Sequence, residues 1–308
     1  MRPILSILAW LCARFSRPGI QRAGAAVGFL IGSVFRFRRG EVEAVLRRCF
    51  PEKSAADVRA VARGMYRHLG ILLIEFLSLP YLDKAALGQD VVGDGLEKVI
   101  EMLGQQHGLI VLTAHLGNFE WMAMAGAARG APLTVLTKAF KPEGLNDWWV
   151  ETRARAGIRL LPVHRSYRQC RKVLAANGVL GFMLDQNRPV WQGIFVDFFG
   201  RPACTSPGLA MLSARTGAPV LPVFIVREPD GRHRITAGEP LPPPAPDRES
   251  VRRATQTYTA IIEAAVRRHP EQWIWLHRRW RTQPSASPDT AAALGNREFP
   301  GGPDRLQF

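Results

Sequence analysis

Seven apolar positions, Val58, Val61, Met65, Leu69, Leu72, Leu73 and Phe76, recur at helical spacing along a stretch that ends at Pro80. Residues three and four apart share one face of a helix, so the spacing predicts an amphipathic helix with a packing role. Ser54 and Asp57 form a capping-box-like start for it, with Asp in place of the usual Glu. From residue 95 the rhythm changes. Short apolar runs, LIVLT (109–113), LTVLT (133–137), IRLLPV (158–163), VLGFML (179–184) and VLPVFIV (220–226), alternate with helical stretches near 120–128, 145–156 and 167–176. Uninterrupted apolar strands between helices are buried on both faces, which predicts an α/β fold: a mostly parallel central sheet flanked by helices. Another helix opens at Ser206–Pro207, HRITAG (233–238) is expected as an edge strand, and Val251–Arg268 forms a last helix after the stiff connector PLPPPAPD (240–247).

The first 40 residues hold no acid, and two uncharged runs, Pro3–Ala13 and Ala23–Phe35, flank Arg14, Arg17 and Arg22. Each run is shorter than the roughly 20 apolar residues that span a bilayer. Two short apolar helices beside arginines suit a helical, membrane-associating extension lying on anionic headgroups; a pair of ordinary core helices is the alternative. The division expected is 1–40 for this extension, 41–283 for the α/β domain and 284–308 for a disordered tail rich in Ser, Pro, Gly and Ala.

Composition adds a partner. The 308 residues carry 41 Lys and Arg against 26 Asp and Glu, a formal charge of +15, and 47% are hydrophobic. Such a balance suits nucleic acid, a phosphorylated ligand or a membrane surface, unless it only reflects an arginine-favouring genome. No nucleic-acid-binding motif is recognised and the charge is not gathered in one tail, which argues against nucleic acid. The four cysteines lie far apart without metal-ligand spacing, as expected of small core residues in a reducing, cytosol-facing location. There is no H-E-x-x-H, no C-x-x-C and no G-x-S-x-G, so neither a metal nor a serine nucleophile is expected.

Candidate chemistry sits at strand ends. In open parallel sheets, ligands gather at the carboxyl ends of the strands, and His115 lies two residues past Thr113. Asp185 holds the equivalent place after VLGFML. On a continuous helix His115 and Glu120 would be roughly 140° apart, since each residue turns about 100°. They meet only if the histidine is on the loop and the glutamate begins the next helix, with Gly117 making the turn and Asn118 as N-cap. A carboxylate on one imidazole nitrogen leaves the other free to take a proton, which suits direct activation of an acceptor hydroxyl.

These residues, with RCFPEKS (48–54), TAHLGNFE (113–120), GFMLDQN (181–187), FVDFFGRPACTSPG (195–208), LSARTGAPVLPVF (212–224) and PEQWIWLHRRWRTQP (270–284), resemble the bacterial lipid A late acyltransferases and their relatives that acylate mannosylated phosphoinositides. The resemblance covers about Arg38 to Pro284 and implies a glycerolipid-acyltransferase-like fold. It implies transfer of a fatty acyl chain from acyl carrier protein to a hydroxyl of a lipid A precursor, on the cytoplasmic side of the cell inner membrane, without cofactor or metal. His115 would be the general base and Glu120 its orienting carboxylate. Arg153, with Arg155 a close competitor, and Asp185 would bind substrate. Asn187 departs from the acid usual at the third position of D-[QH]-[DN]. The apolar FVDFFGRPACTSPG would help form the acyl slot. Trp273, Trp275 and Trp280, among His277 and three arginines, suit either a lipid interface or the core. An acyl-CoA enzyme acting on a mannosylated phosphoinositide, and a non-catalytic membrane-anchored homologue, are the alternatives.

Overall fold

A computed structural model describes residues 2–139 and 141–284; the predicted tail lies outside them. Helices α1 (Arg2–Cys12) and α2 (Arg17–Phe29), the latter continuing as a π-helical turn over Leu30–Val34, precede α3 (Arg39–Cys49) and α4 (Ala55–Ser78). The capping box forms as expected: Ser54 Oγ accepts the N–H of Asp57, whose carboxylate accepts the N–H of Ser54. Helix α5 (Lys84–Gln89) leads into β1 (Val91–Val92) and α6 (Gly95–Leu103). The alternating region then follows: β2 (Leu109–Thr113), α7 (Phe119–Ala128), β3 (Leu133–Thr137), α8 (Glu143–Arg155), β4 (Arg159–Pro162), α9 (Tyr167–Ala175) and β5 (Val179–Met183). A hairpin of β6 (Ile194–Asp197) and β7 (Pro202–Thr205) comes next, then α10 (Gly208–Thr216), β8 (Val220–Arg227), β9 (His233–Ala237) and α11 (Arg248–Arg268).

Among the described residues the main sheet has seven strands in the order β1-β9-β8-β2-β5-β3-β4. All neighbours are parallel except β8 and β9. Strand β2 is central and buried along its whole length. Its side chains alternate between two cores: Ile110 and Leu112 join α3, α4, α9, α10 and α11, while Leu109 and Val111 join α6 and α7. Helices therefore cover both faces, which is why these strands carry apolar residues without alternation. β9 is not the edge strand expected of it. Val91 and Val92 pair in parallel with His233 and Arg234 and cover that side, and two residues are too few to leave a period in the sequence.

The N-terminal helices dock on α4. Small residues let the backbones approach closely: a Cβ on Gly28 would lie 2.2 Å from the carbonyl oxygen of Tyr66, and one on Gly70 would lie 2.1 Å from that of Gly24. Their outer sides leave large apolar groups in the open, with Ile4 63%, Ile7 60%, Phe29 61% and Phe35 74% exposed. Among the described residues, no helix is long and apolar enough to cross a membrane. All four cysteines are free and buried, as predicted.

FVDFFGRPACTSPG builds the β6–β7 hairpin rather than a slot. Phe198 stacks on Trp280, with ring centroids 5.6 Å apart, and Phe199 meets Phe50 at 5.3 Å. Trp273, Trp275 and Trp280 are buried in the same aromatic cluster, so of the two readings the core one holds.

Candidate active site

The turn between β2 and α7 is fixed at every residue. Gly117 has a positive φ of 58°, and a Cβ there would sit 2.0 Å from the carbonyl oxygen of Ile225. Only glycine fits that approach. Its N–H donates to Gln272 O (3.0 Å), and the N–H of Ile274 donates to His115 O (3.2 Å). Asn118 caps α7: its Oδ1 accepts the N–H of Trp121 (3.0 Å), while its Nδ2 donates to Glu75 Oε2 (2.8 Å). Glu75 also receives Arg227, whose Nη1 lies 2.7 Å from His68 Nδ1. Burial, then the Arg227 charge, pushes the His68 pKa down to about 3, so this histidine stays neutral and accepts that N–H. The charged cluster anchors this turn through Asn118.

His115 is on the loop and Glu120 in the first turn of the helix, yet the two are not partners. His115 Nδ1 lies 2.9 Å from Asp185 Oδ1, and the backbone N–H of 115 donates to Asp185 Oδ2 (2.9 Å). Trp273 Nε1 donates to the same Oδ2 (2.8 Å). Glu120 instead makes a bidentate pair with Arg153, through Nε to Oε2 (3.2 Å) and a second, shorter bond from Nη2 to Oε1. The reason is the helix start at Phe119, which turns Glu120 towards α8, where Arg153 lies against the Trp149 ring, 4.4 Å from its centroid. Arg155 is out at the surface, 3.6 Å from Glu151. The expectation that Glu120 orients the imidazole is thus corrected: Asp185 holds the ring.

The electrostatics follow. Burial disfavours a charged imidazole, but the charge and hydrogen bond of Asp185, helped by Glu120, outweigh it and raise the His115 pKa above 6.5. Asp185 is fully buried, which alone would raise its pKa; the charge of His115, its ring and backbone hydrogen bonds and the nearby His277 hold it well below the usual carboxylate range. With Nδ1–H on Asp185, Nε2 turns its lone pair to the cleft, beside the Gln186 amide at 3.3 Å. The His277 ring lies 4.7 Å from that of His115 and is pushed down to about 4 by burial, then by the His115 charge. Trp273 and His277 were missed as site residues, because nothing in their spacing separates them from core aromatics.

His115 opens on a cleft of about 440 Å³ that Glu120, Arg153, Gln186, Lys138 and Arg188 also line. Phe119, Glu120, Val135, Arg153, Gly181 and Met183 belong equally to a second, narrow space beneath α7. That slot is walled by aliphatic side chains of α6 and of β2, β3 and β5, from Met183 down to Val179. Five strand residues span roughly 13 Å. The polar cleft therefore shares a wall with a narrow apolar slot of about 70 Å³, a pairing suited to a molecule with a polar head and an apolar chain.

The family model for bacterial lipid A biosynthesis acyltransferases matches residues 4–282. The chain belongs to this family and is an acyltransferase. It is 25% identical over 284 residues to the lipid A biosynthesis lauroyltransferase of Escherichia coli, covering 91% of this chain and 90% of that protein. It is also 25% identical over 280 residues to the palmitoleoyltransferase of the same organism, with 89% of each covered. The phosphatidylinositol mannoside acyltransferase of Mycolicibacterium smegmatis is 27% identical over 215 residues, 67% of either chain.

Proposed function

We propose that the protein transfers a fatty acyl chain from acyl carrier protein to a hydroxyl of a lipid A precursor, with His115 as general base. One observation carries the reading: His115, held by Asp185, opens on a polar cleft that shares Phe119, Glu120 and Arg153 with the apolar slot. Nε2 takes the proton of the acceptor hydroxyl as its oxygen attacks the thioester carbonyl. The tetrahedral intermediate expels the thiolate, the imidazolium returns the proton to sulfur, and the ester remains. Asp185 fixes the tautomer and stabilises the imidazolium. The Glu120–Arg153 pair borders both spaces and holds their common wall in shape.

Residues 1–40 serve as the membrane-associating part and 41–283 as the acyltransferase domain. The exposed apolar faces of α1 and α2, with Arg14, Arg22 and Arg36 nearby, support peripheral attachment to the anionic cytoplasmic side of the inner membrane. The resemblance to the mannoside acyltransferase supports a second reading, with acyl-CoA as donor and a mannosylated phosphoinositide as acceptor.

Purified protein in detergent, given labelled acyl carrier protein and a tetra-acylated lipid A precursor, is expected to form the acylated product. His115→Ala is expected to lose at least about 10²- to 10⁴-fold in turnover while keeping its fold. Product only from acyl-CoA and the mannolipid would favour the second reading, and wild-type rates in the variant would end the general-base assignment.

A further inference from the structure

The proposed mechanism leaves two cations of the cleft without a task. Arg153 is committed to Glu120 by a bidentate pair. Arg188 differs. It lines the same cleft three residues after Asp185, and among the described residues its guanidinium has neither a carboxylate nor any other hydrogen-bond partner. Lys138, on the facing segment after β3, lines the cleft too and has no ion pair among the described residues. The two acids of the cleft region are already taken, Glu120 by Arg153 and Asp185 by His115.

The backbone presents Arg188 on a rigid mount. Its N–H donates to Cys204 O (3.1 Å) and its carbonyl accepts Thr282 Oγ1 (2.8 Å). Asn187, where the related pattern carries an acid, exchanges two hydrogen bonds with Thr282: Nδ2 to Oγ1 (3.0 Å) and the Thr282 N–H to Oδ1 (3.1 Å). An amide at 187 locks the strap without placing a negative charge beside the arginine. Burial lowers the pKa of the Arg188 guanidinium, and among the described residues nothing offsets that cost. A partly buried guanidinium without a partner is matched by an oxyanion that accepts two parallel N–H bonds. Two unpaired cations on one cleft favour a ligand with more than one negative charge.

We propose that Arg188, with Lys138, forms a phosphate-binding subsite on the wall of the His115 cleft. The proposal rests on the acyl-transfer reading for its substrates, and either substrate could bring the phosphate: a phosphorylated glycolipid acceptor, or the phosphopantetheine arm of the donor. The subsite orders the phosphate end of the substrate while the reacting carbon lies at His115.

The test uses the full chain in detergent with Arg188→Ala, Arg188→Lys and Lys138→Ala. Calorimetric titration with inorganic phosphate is expected to show binding to wild type that Arg188→Ala weakens roughly ten- to a hundredfold, the range for a lost charge-assisted hydrogen bond, with Arg188→Lys in between. In turnover assays the ratio of kcat/KM for phosphorylated over dephosphorylated acceptor is expected to fall by about tenfold or more in Arg188→Ala, through KM more than kcat. If instead the ratio between phosphopantetheine and pantetheine thioesters collapses, the subsite holds the donor's phosphate. Arg188-dependent phosphate binding without acyl transfer by wild type would keep the subsite and remove the acyltransferase substrates. Acyl transfer with phosphate binding and both ratios indifferent to Arg188 would overturn the subsite.

Discussion

Asp185 grips His115 at two points, one oxygen on the backbone N–H and the other 2.9 Å from the ring Nδ1. Backbone and ring are set by a single carboxylate that Trp273 in turn holds in place. Asp185→Asn keeps the shape but offers an amide where Nδ1–H needs an acceptor. Turnover is expected to fall about 10³- to 10⁴-fold, as when the orienting carboxylate of such a dyad is neutralised. Steady-state kinetics, with circular dichroism as a folding control, would check it; near wild-type turnover would remove Asp185 from the mechanism.

The pH profile carries a sign. The base must be neutral, and its pKa in the folded protein is raised above 6.5, so kcat/KM is expected to fall as pH drops through a value above 6.5. In Asp185→Asn burial is opposed only by the Glu120 charge, and the limb is expected to move to lower pH. Stability follows the same linkage: the contribution of protonated His115 is present below pH 6.5 and lost as pH rises through the folded pKa. Rate profiles from pH 5 to 9 in both proteins would show no shift of the limb if Asp185 were not the cause.

Glu120 and Arg153 are both buried, so removing one strands the other. Arg153→Met is expected to cost about 3–5 kcal/mol, while Glu120→Leu with Arg153→Met recovers most of it. Denaturant unfolding of the two single variants and the double variant closes the cycle. Additive losses would mean the two side chains do not act as a pair.

Gly126 lines the slot, and a Cβ there would meet only Leu96 Cδ2, at 3.7 Å. Gly126→Leu therefore fits at its first carbon and obstructs the groove with the rest. Competition among decanoyl, lauroyl and myristoyl donors is expected to shift towards the shorter chains. An unaltered preference would place the acyl chain elsewhere.

Gly28→Ala is expected to destabilise the protein by about 1–3 kcal/mol or more, since backbone rather than a yielding side chain meets the new carbon. Gly40→Ala on α3, with nothing within 4 Å, is the control and is expected to be neutral or slightly stabilising. Thermal unfolding separates the two, and amide exchange would report whether α2 lifts from α4.

The strands LIVLT and LTVLT were legible to the residue: the first is buried throughout, as an unbroken apolar run requires, and the second, partly buried, is rich in β-branched residues. The capping box was legible because its two hydrogen bonds are local. What could not be read rests on long-range pairing. Asp185 lies 70 residues from His115, and only the adjacency of β2 and β5 joins them. Placing both at the carboxyl edge of the sheet was within reach; choosing between Asp185 and Glu120 required knowing which way the first turn of α7 faces. Glu75, the hinge of the buried cluster behind the turn, lies on the helix that was assigned only to packing.

Helix α4 lends its glycine-lined side to α2 and, a turn beyond, offers Glu75 to Asn118. One stiff rod thus joins the greasy outer helices to the turn bearing the imidazole. A displacement of one is thereby passed to the other, and under the proposed attachment the depth of the outer helices in lipid would also set the height of the imidazole above it.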